Sequence, residues 1–201
     1  PPQERATFRG MFEVFKRRGA RRLLLITVLT NIGVSGTYGL QSLMLIDAGF
    51  SVANAGLIAI VGTSATGLLG GWLAKPVSEQ FGGYVTVALV AVALAVSSIS
   101  AGLFMLDALV GWIVAAVALV NGGLSFALLP AAKSILIGFC REGREATDFA
   151  SFAGIEVLIF MIGTSVLAGL VDTWGYQAIL LATGTVSLIG GALAWKSRFS
   201  A

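Results

Sequence analysis

Glu156 is a carboxylate inside a long apolar run, DFASFAGIEVLIFMIG at residues 148–163. An ionised carboxylate within hydrocarbon costs several kcal/mol unless it is paired or reaches water. We therefore expect Glu156 to face a polar pathway, where it could load and release a proton. The alternative is a static bond to Lys133 or to the backbone of a neighbouring helix.

Lys133 and Asp148 are expected near the same end of two consecutive apolar runs. The plainest hypothesis is an ion pair between them, shared with Arg141 or Arg144. If the pair formed in only one conformation, it would act as an inner gate. Lys133 could instead attract an anionic substrate, and Asp148 also suits the first turn of a helix, where a carboxylate is favoured.

Two amides lie inside other apolar runs. Asn31 is followed by Ser35 and Tyr38 at spacings that share one helical face. Asn121 lies deep in a later run, and at about 1.5 Å per residue both amides should lie near mid-membrane. Each is either a hydrogen bond between helices or a contact to substrate along a pathway.

The composition excludes most soluble functions. The 201 residues are 57% hydrophobic and 11% charged, whereas soluble domains carry about 25% charged residues. There is no His and one cysteine, Cys140, so we expect no metal site and no intrachain disulfide. Without a nucleotide-binding loop or a nucleophile–base pair, we predict no enzyme activity, no cofactor and no nucleic-acid partner.

Six runs are long enough for transmembrane helices, since a bilayer core needs roughly 20 apolar residues per helix. Turn-forming stretches separate them, among them KPVSEQFGG at 75–83 and DTWGY at 172–176. The predicted spans are 23–46, 54–74, 84–106, 109–132, 150–170 and 177–195.

Lysine and arginine predict the orientation. All 13 fall on one side of the predicted membrane, whereas the charged residues of the three loops on the other side are Asp47, Asp107 and Asp172. Both ends of the chain are therefore predicted to be cytoplasmic, which makes the inner gate a cytoplasmic one. Residues 1–22 form a basic segment with Phe8, Met11, Phe12 and Phe15 at helical spacing. We expect a helix there, either on lipid headgroups or packed on neighbouring loops.

An internal repeat is indicated by two matches at nearly the same offset. NIGVS at 31–35 matches NGGLS at 121–125, and GWLAKPVSEQFGGY at 71–84 matches GLVDTWGY at 169–176. Residues 23–106 and 107–201 are therefore predicted to be two three-helix units. Three helices is an odd number, so the second unit would be inverted in the membrane.

With the stretch GFSVANAGL at 49–57, these loops resemble the C-terminal six-helix half of a major facilitator superfamily transporter. The resemblance covers almost all of the chain. ATDFASFAGIEVL at 146–158 is similar to the branch with muropeptide permeases, acetyl-CoA transporters and siderophore-uptake permeases. Lys75 stands where the family's cytoplasmic loop motif has an acidic residue, so a gating salt bridge built on that motif is not expected here.

The resemblance implies an all-α membrane protein with six helices as a 3+3 inverted repeat, half of a twelve-helix fold. It implies a secondary transporter that moves a small organic solute by alternating access, in a bacterial inner membrane. The partners would be the lipid bilayer, the solute and an N-terminal six-helix half of a longer polypeptide. Proton coupling would run through Glu156. The alternative is a six-helix membrane subunit or channel that works as a homo-oligomer.

Overall fold

The computed structural model describes Phe15, residues 19–104 and residues 111–199, and these ranges are dominated by five long helices. Each helix is long and apolar enough to cross a bilayer core of about 30 Å. An all-α chain with five such helices is expected to be an integral membrane protein. The helices are α1 (Ala20–Asp47), α2 (Val52–Phe81), α3 (Gly83–Phe104), α4 (Gly111–Ile137) and α5 (Glu145–Ser197).

Two of the helices contain a π-helical segment. In α1 the segment Ser35–Gly39 separates the α-helical stretches Ala20–Val34 and Gln41–Asp47. In α2 the segment Leu57–Gly62 lies between Val52–Gly56 and Thr63–Phe81. A π turn holds one residue more than an α turn, so it rotates the rest of the helix and often marks a functional site.

The number of long helices differs from the six predicted spans. Residues 145–197 form a single helical run of 53 residues, which as a straight rod would be about 80 Å long. Gly175 interrupts it with φ 72° and ψ 161°, a backbone conformation open only to glycine. The run therefore has a first arm (145–174) and a second arm (176–197), and Gly175 falls within the turn that the sequence predicted at 172–176.

The first arm of α5 runs parallel to α1. The Ser35 hydroxyl donates to the carbonyl of Phe160 at 3.2 Å. Further along, Gly39 lies where an added Cβ would contact the Thr164 side chain. Residue numbers therefore rise together along the two helices.

The second arm runs antiparallel to α1. Gly33 is packed so closely on Ser187 that an added Cβ would lie 2.7 Å from the Ser187 Cβ, and Gly36 packs on Thr183 in the same way. Here the numbers rise on one helix and fall on the other. The chain consequently reverses its direction at Gly175.

The remaining helices pair off similarly. α2 packs parallel to α4, since Thr63 meets Gly122 and Phe126 meets Gly67. α3 packs antiparallel to the second arm of α5, since Gly102 lies against Leu181 and Gly191 lies against Ala88. Between these contacts, the Ser187 hydroxyl donates to the Ala91 carbonyl at 3.2 Å.

The core consists of two apolar clusters with buried polar side chains between them along the helices. On α4, Ala118 belongs to one cluster and Leu128 to the other, and the buried Asn121 and Ser125 fall between them. The first cluster includes Leu23, Ile26, Leu94, Ile135, Phe152 and Ala194. The second includes Leu40, Met44, Leu45, Val114, Ile179 and Leu180.

The ends of two helices extend beyond the predicted spans. α2 continues through 75–81, which the sequence predicted as loop, and α4 continues to Ile137. Composition indicates where a helix leaves the hydrocarbon region, but the backbone hydrogen bonds of the helix can continue into water. In α2 they continue until Gly82, whose φ of 83° ends the helix.

Two predicted features lie largely outside the described residues. Of the amphipathic segment 1–22, Phe15 is described, and its ring packs edge-on against Phe152 with centroids 4.8 Å apart. Phe8, Met11 and Phe12 lie outside the described residues, as does Asp107.

Candidate functional site

The ion pair between Lys133 and Glu156 joins α4 to the first arm of α5. The Lys133 ammonium donates directly to the Glu156 carboxylate. The Glu156 side chain is 11% exposed and that of Lys133 27%. This is the partner that the sequence left open as the alternative to a pathway role for Glu156, and it differs from the Lys133–Asp148 pair that the sequence favoured.

Helix geometry brings these two groups together. Lys133 lies one turn before the end of α4, and Glu156 lies roughly 16 Å along α5 from its start. The loop at 138–144 joins the two helices at one end of the bundle, so the lysine can reach the carboxylate. Nζ of Lys133 also lies 5.5 Å from the centroid of the Phe149 ring, whose face attracts a cation.

A cavity of about 250 Å³ lies against this ion pair. Its walls come from α1, α4 and the first arm of α5, and its rim includes Leu129 and Val157, which are both exposed. The polar lining side chains are Asn31, Tyr38, Ser125, Lys133 and Glu156. Among the lining residues, Lys133 and Glu156 are the charged ones, so they define a polar end in an otherwise apolar cavity.

Three aromatic rings line another part of the cavity, one from each helix. The Tyr38 ring meets Phe126 edge-on at 5.8 Å and lies 6.2 Å from Phe160, measured between ring centroids. Rings at these separations attract one another, and their faces offer an apolar surface for a ligand. The sequence predicted Tyr38 as a pathway residue but missed Phe126 and Phe160, because aromatic residues are ordinary in apolar helices.

Of the predicted pathway residues, Asn31, Tyr38 and Glu156 line the cavity, whereas Ser35 does not. Ser35 is fully buried, and its hydroxyl donates to the carbonyl of Asn31 at 2.8 Å and to that of Phe160. Ser35 lies one helical turn after Asn31, on the part of α1 that packs against Phe160 and Gly163 of the first arm of α5, so its side chain does not reach the cavity.

Asn121 lies against a different, closed gap with Gln41 and Thr37. Both side-chain polar atoms of Asn121 and the Oε1 of Gln41 lack a hydrogen-bond partner among the described residues. The Nε2 of Gln41 donates to the Ala59 carbonyl in the π segment of α2 at 3.3 Å. Sequence reasoning missed Gln41, although the criterion that selected Asn31 and Asn121, an amide within an apolar span, would have found it.

Asp148 is paired with Arg141 at the loop end of the bundle. The Asp148 carboxylate is fully buried and accepts from Nη2 of Arg141 at 2.6 Å and from Nε at 2.8 Å. It also accepts from the Arg141 backbone N–H at 2.9 Å. Of the predicted gate residues, the structure therefore pairs Arg141 with Asp148, whereas Lys133 pairs with Glu156, which was predicted as a pathway residue. Arg144 lies half-buried just before α5.

Cys140 lies in the loop at 138–144, outside the long helices. Burial raises the pKa of its thiol, and the nearby carboxylates of Asp148 and Glu145 raise it further. The thiol is therefore mostly protonated at neutral pH and a poor nucleophile.

No protein-family model matches the chain, and no curated protein does. Within the described ranges, no cluster of His, Cys, Asp or Glu could hold a metal ion. The chemistry of the cavity is thus that of one ion pair, hydroxyl and amide groups, and aromatic faces.

Proposed function

We propose that the chain is the six-helix half of a secondary transporter, a carrier rather than an enzyme, which moves a small organic solute by alternating access. The observation that carries the proposal is the Lys133–Glu156 pair on a cavity within an apolar bundle. Charged groups are costly in a membrane interior and are characteristic of substrate and ion pathways there.

The packing of the helices supports six crossings and an inverted repeat. If the arms of α5 are counted separately, α1 packs parallel to the fifth segment and α2 packs parallel to the fourth. If the first, second and third segments exchange places with the fourth, fifth and sixth, the contact between the first and fifth segments becomes the contact between the fourth and second. α3 and the sixth segment pack against each other, so that contact maps onto itself. A pseudo-two-fold axis in the membrane plane produces this pattern.

A partner bundle would cover the faces that the chain leaves exposed. α2 and the first arm of α5, equivalent members of the two triplets, carry large apolar side chains at more than half exposure. We propose that an N-terminal six-helix half packs there, as in the major facilitator superfamily, and encloses the cavity. The exposed side chains include Leu57, Ile60, Leu68, Trp72, Leu158, Met161 and Ile162.

Glu156 is the proposed proton-coupling group, and Asn31 and Tyr38 contribute to the substrate pathway. If Lys133 engages another group, Glu156 stays behind in an apolar site, where a neutral carboxyl group is favoured over a charged one. A bacterial inner membrane with both ends of the chain in the cytoplasm agrees with the one-sided distribution of lysine and arginine.

The test is the accessibility of a cysteine in the cavity from the two sides of the membrane. Ala153→Cys lines the cavity, and the adjacent Gly154→Cys, which faces open space on the helix exterior, is the matched control. Both are made in a Cys140→Ser background and treated with a membrane-impermeant thiol reagent. We expect A153C to react from either side, at rates that change in opposite directions when a proton gradient is imposed.

Different results separate the alternatives. If A153C reacts from neither side, the transporter proposal is wrong. Equal and simultaneous reaction from both sides, with a chain that migrates as an oligomer, would favour the homo-oligomeric channel. G154C is expected to react poorly in both cases, since it shares a helical face with Leu158 and Met161, which the partner bundle or a second copy of the chain would cover.

A further inference from the structure

We infer that the cavity binds an amphipathic organic monoanion, whose carboxylate takes Lys133 from Glu156 and whose apolar body lies on Tyr38, Phe126 and Phe160. The inference rests on the proposed function, since it names the substrate class of the same cavity. Four features of the cavity support it: its unequal ion pair, an unsatisfied hydroxyl, its aromatic surface and its size.

The ion pair presents its cation to the cavity. The Lys133 side chain is more than twice as exposed as that of Glu156, at 27% against 11%. An ammonium has three N–H donors, and one of them is given to Glu156. The remaining donors suit a carboxylate, whereas a ligand cation would have to reach the more buried Glu156 past Lys133.

Ser125 is a second polar group that awaits a ligand. Its side chain lines the cavity, the residue is 6% exposed, and its hydroxyl has no hydrogen-bond partner among the described residues. An unsatisfied buried hydroxyl costs free energy. Ser125 lies eight residues before Lys133 on α4, about 12 Å along the helix axis. Its hydroxyl therefore meets the body of a ligand whose carboxylate is held by Lys133, and it can donate to the face of an aryl ring there.

The rest of the cavity suits an apolar body. Tyr38, Phe126 and Phe160 present ring surfaces from three helices, and Val34, Leu128 and Val157 complete the wall. An apolar cavity of about 150 Å³ is known to hold benzene, so the volume of about 250 Å³ admits an aryl group with a short chain.

Charge balance then requires a proton. When the ligand carboxylate bonds to Lys133, Glu156 loses its counter-ion in an apolar surrounding and takes up one proton from water. The site then contains an ammonium, a ligand carboxylate and a neutral carboxyl group, so its net charge stays at zero. The other polar side chains that line the two cavities bordering Glu156 are Thr27, Thr30, Asn31, Tyr38, Ser125 and the charged Lys133, while Asp148 is held by Arg141.

The experiment measures equilibrium binding of radiolabelled 4-phenylbutyrate to the protein in phosphatidylcholine nanodiscs. We expect 4-phenylbutylamine, 4-phenylbutanol and phenylalanine to compete at least about tenfold more weakly than unlabelled 4-phenylbutyrate. Affinity should fall by up to about tenfold per pH unit as the pH rises, because binding takes up one proton. Equal competition by the alcohol, or tighter binding of the amine or the zwitterion, would overturn the inference.

Variants locate the site. Lys133→Met should lower the affinity for 4-phenylbutyrate about tenfold or more. Glu156→Gln should bind the anion with an affinity that does not change with pH. If K133M fails to fold, the charge-neutral double variant K133M/E156Q replaces it and should also fail to bind. Lys75→Met, at an exposed lysine on α2, is the matched control and should bind as the original protein does.

The binding assay and the cysteine-accessibility assay test the ligand class and transport independently. No gradient is present in the binding assay, so binding with the expected selectivity and an A153C that reacts from neither side would refute transport but not the ligand class. An A153C that alternates, with no preference for the anion, would refute the ligand class alone.

Discussion

The Lys133 ammonium on α4 and the Glu156 carboxylate on the first arm of α5 form an ion pair at the edge of a cavity lined by three aromatic rings. Each charge is tolerated in this apolar bundle because the other is present. The pair therefore links two helices and at the same time supplies the cavity with its charged groups.

Breaking this pair on one side should destabilise the protein more than removing both charges. K133M leaves a buried carboxylate without its partner, and we expect a loss of about 3 kcal/mol in the free energy of unfolding. The double variant K133M/E156Q has no uncompensated charge and should recover most of this loss. Unfolding in mixed micelles with increasing SDS measures each difference.

The control is the exposed pair of Lys75 and Glu79, whose charged atoms lie 3.9 Å apart. K75M and E79Q should leave the unfolding curve unchanged, since solvent screens such a pair. A double variant at 133 and 156 that loses the sum of both single effects would contradict a direct interaction between the two residues.

Asp148→Asn should loosen the loop between α4 and α5. The substitution keeps the shape of the side chain but removes the negative charge of the carboxylate, which accepts hydrogen bonds from three N–H groups of Arg141. We expect a loss of about 2–3 kcal/mol and faster tryptic cleavage after Arg141 and Arg144 in inside-out vesicles. Glu142→Gln, in the same loop but exposed, should cleave as the original protein does.

The Cys140 thiol should react slowly with iodoacetamide near neutral pH. Its raised pKa means that the thiolate fraction at a given pH is below that of an ordinary thiol, so the rate should rise about tenfold per pH unit from about pH 7 to pH 9. Since Cys140 is the only cysteine in the chain, mass spectrometry of the alkylated protein follows this one site. Glu145→Gln removes a carboxylate that raises the pKa and should accelerate the reaction, and a rate that levels off below about pH 8 would refute the shift.

Gly36→Ala should destabilise the bundle by about 1–3 kcal/mol, because its Cβ would collide with the Thr183 side chain on the second arm of α5. Gly71→Ala, at a helical glycine with open space around it, should be neutral or slightly stabilising. The same SDS unfolding series compares them. Thr183→Ala in the G36A background should restore part of the loss, and no restoration would mean that the two helices do not touch there.

Much of the fold could be predicted from residue types along single segments. α3 was expected at 84–106, and the described residues 83–104 are helical, because an uninterrupted apolar run favours a helix along its length. The need of Glu156 for a partner or for water was equally predictable, since a charge in hydrocarbon is costly wherever the helix points.

The identity of partners could not be predicted in this way. Asp148 is paired with Arg141, seven residues earlier in the chain, because the loop turns back at Gly143 with φ 78° and brings the guanidinium to the carboxylate. Nothing in the spacing distinguished this pair from the predicted Lys133–Asp148 pair, which would also lie at one end of the bundle.

By itself, the sequence determined a helical membrane chain, the approximate extent of its apolar helices and the presence of a charge that needs compensation, because hydropathy and helical spacing act within one segment. The tertiary structure decided that Lys133 is the compensating group and that Phe126 and Phe160 join Tyr38 in one cavity. It also placed Ser35 outside that cavity and Asn121 at another gap. Such contacts depend on how far each helix is rotated about its axis, and a π turn in α1 changes that rotation without any mark in the hydrophobic pattern.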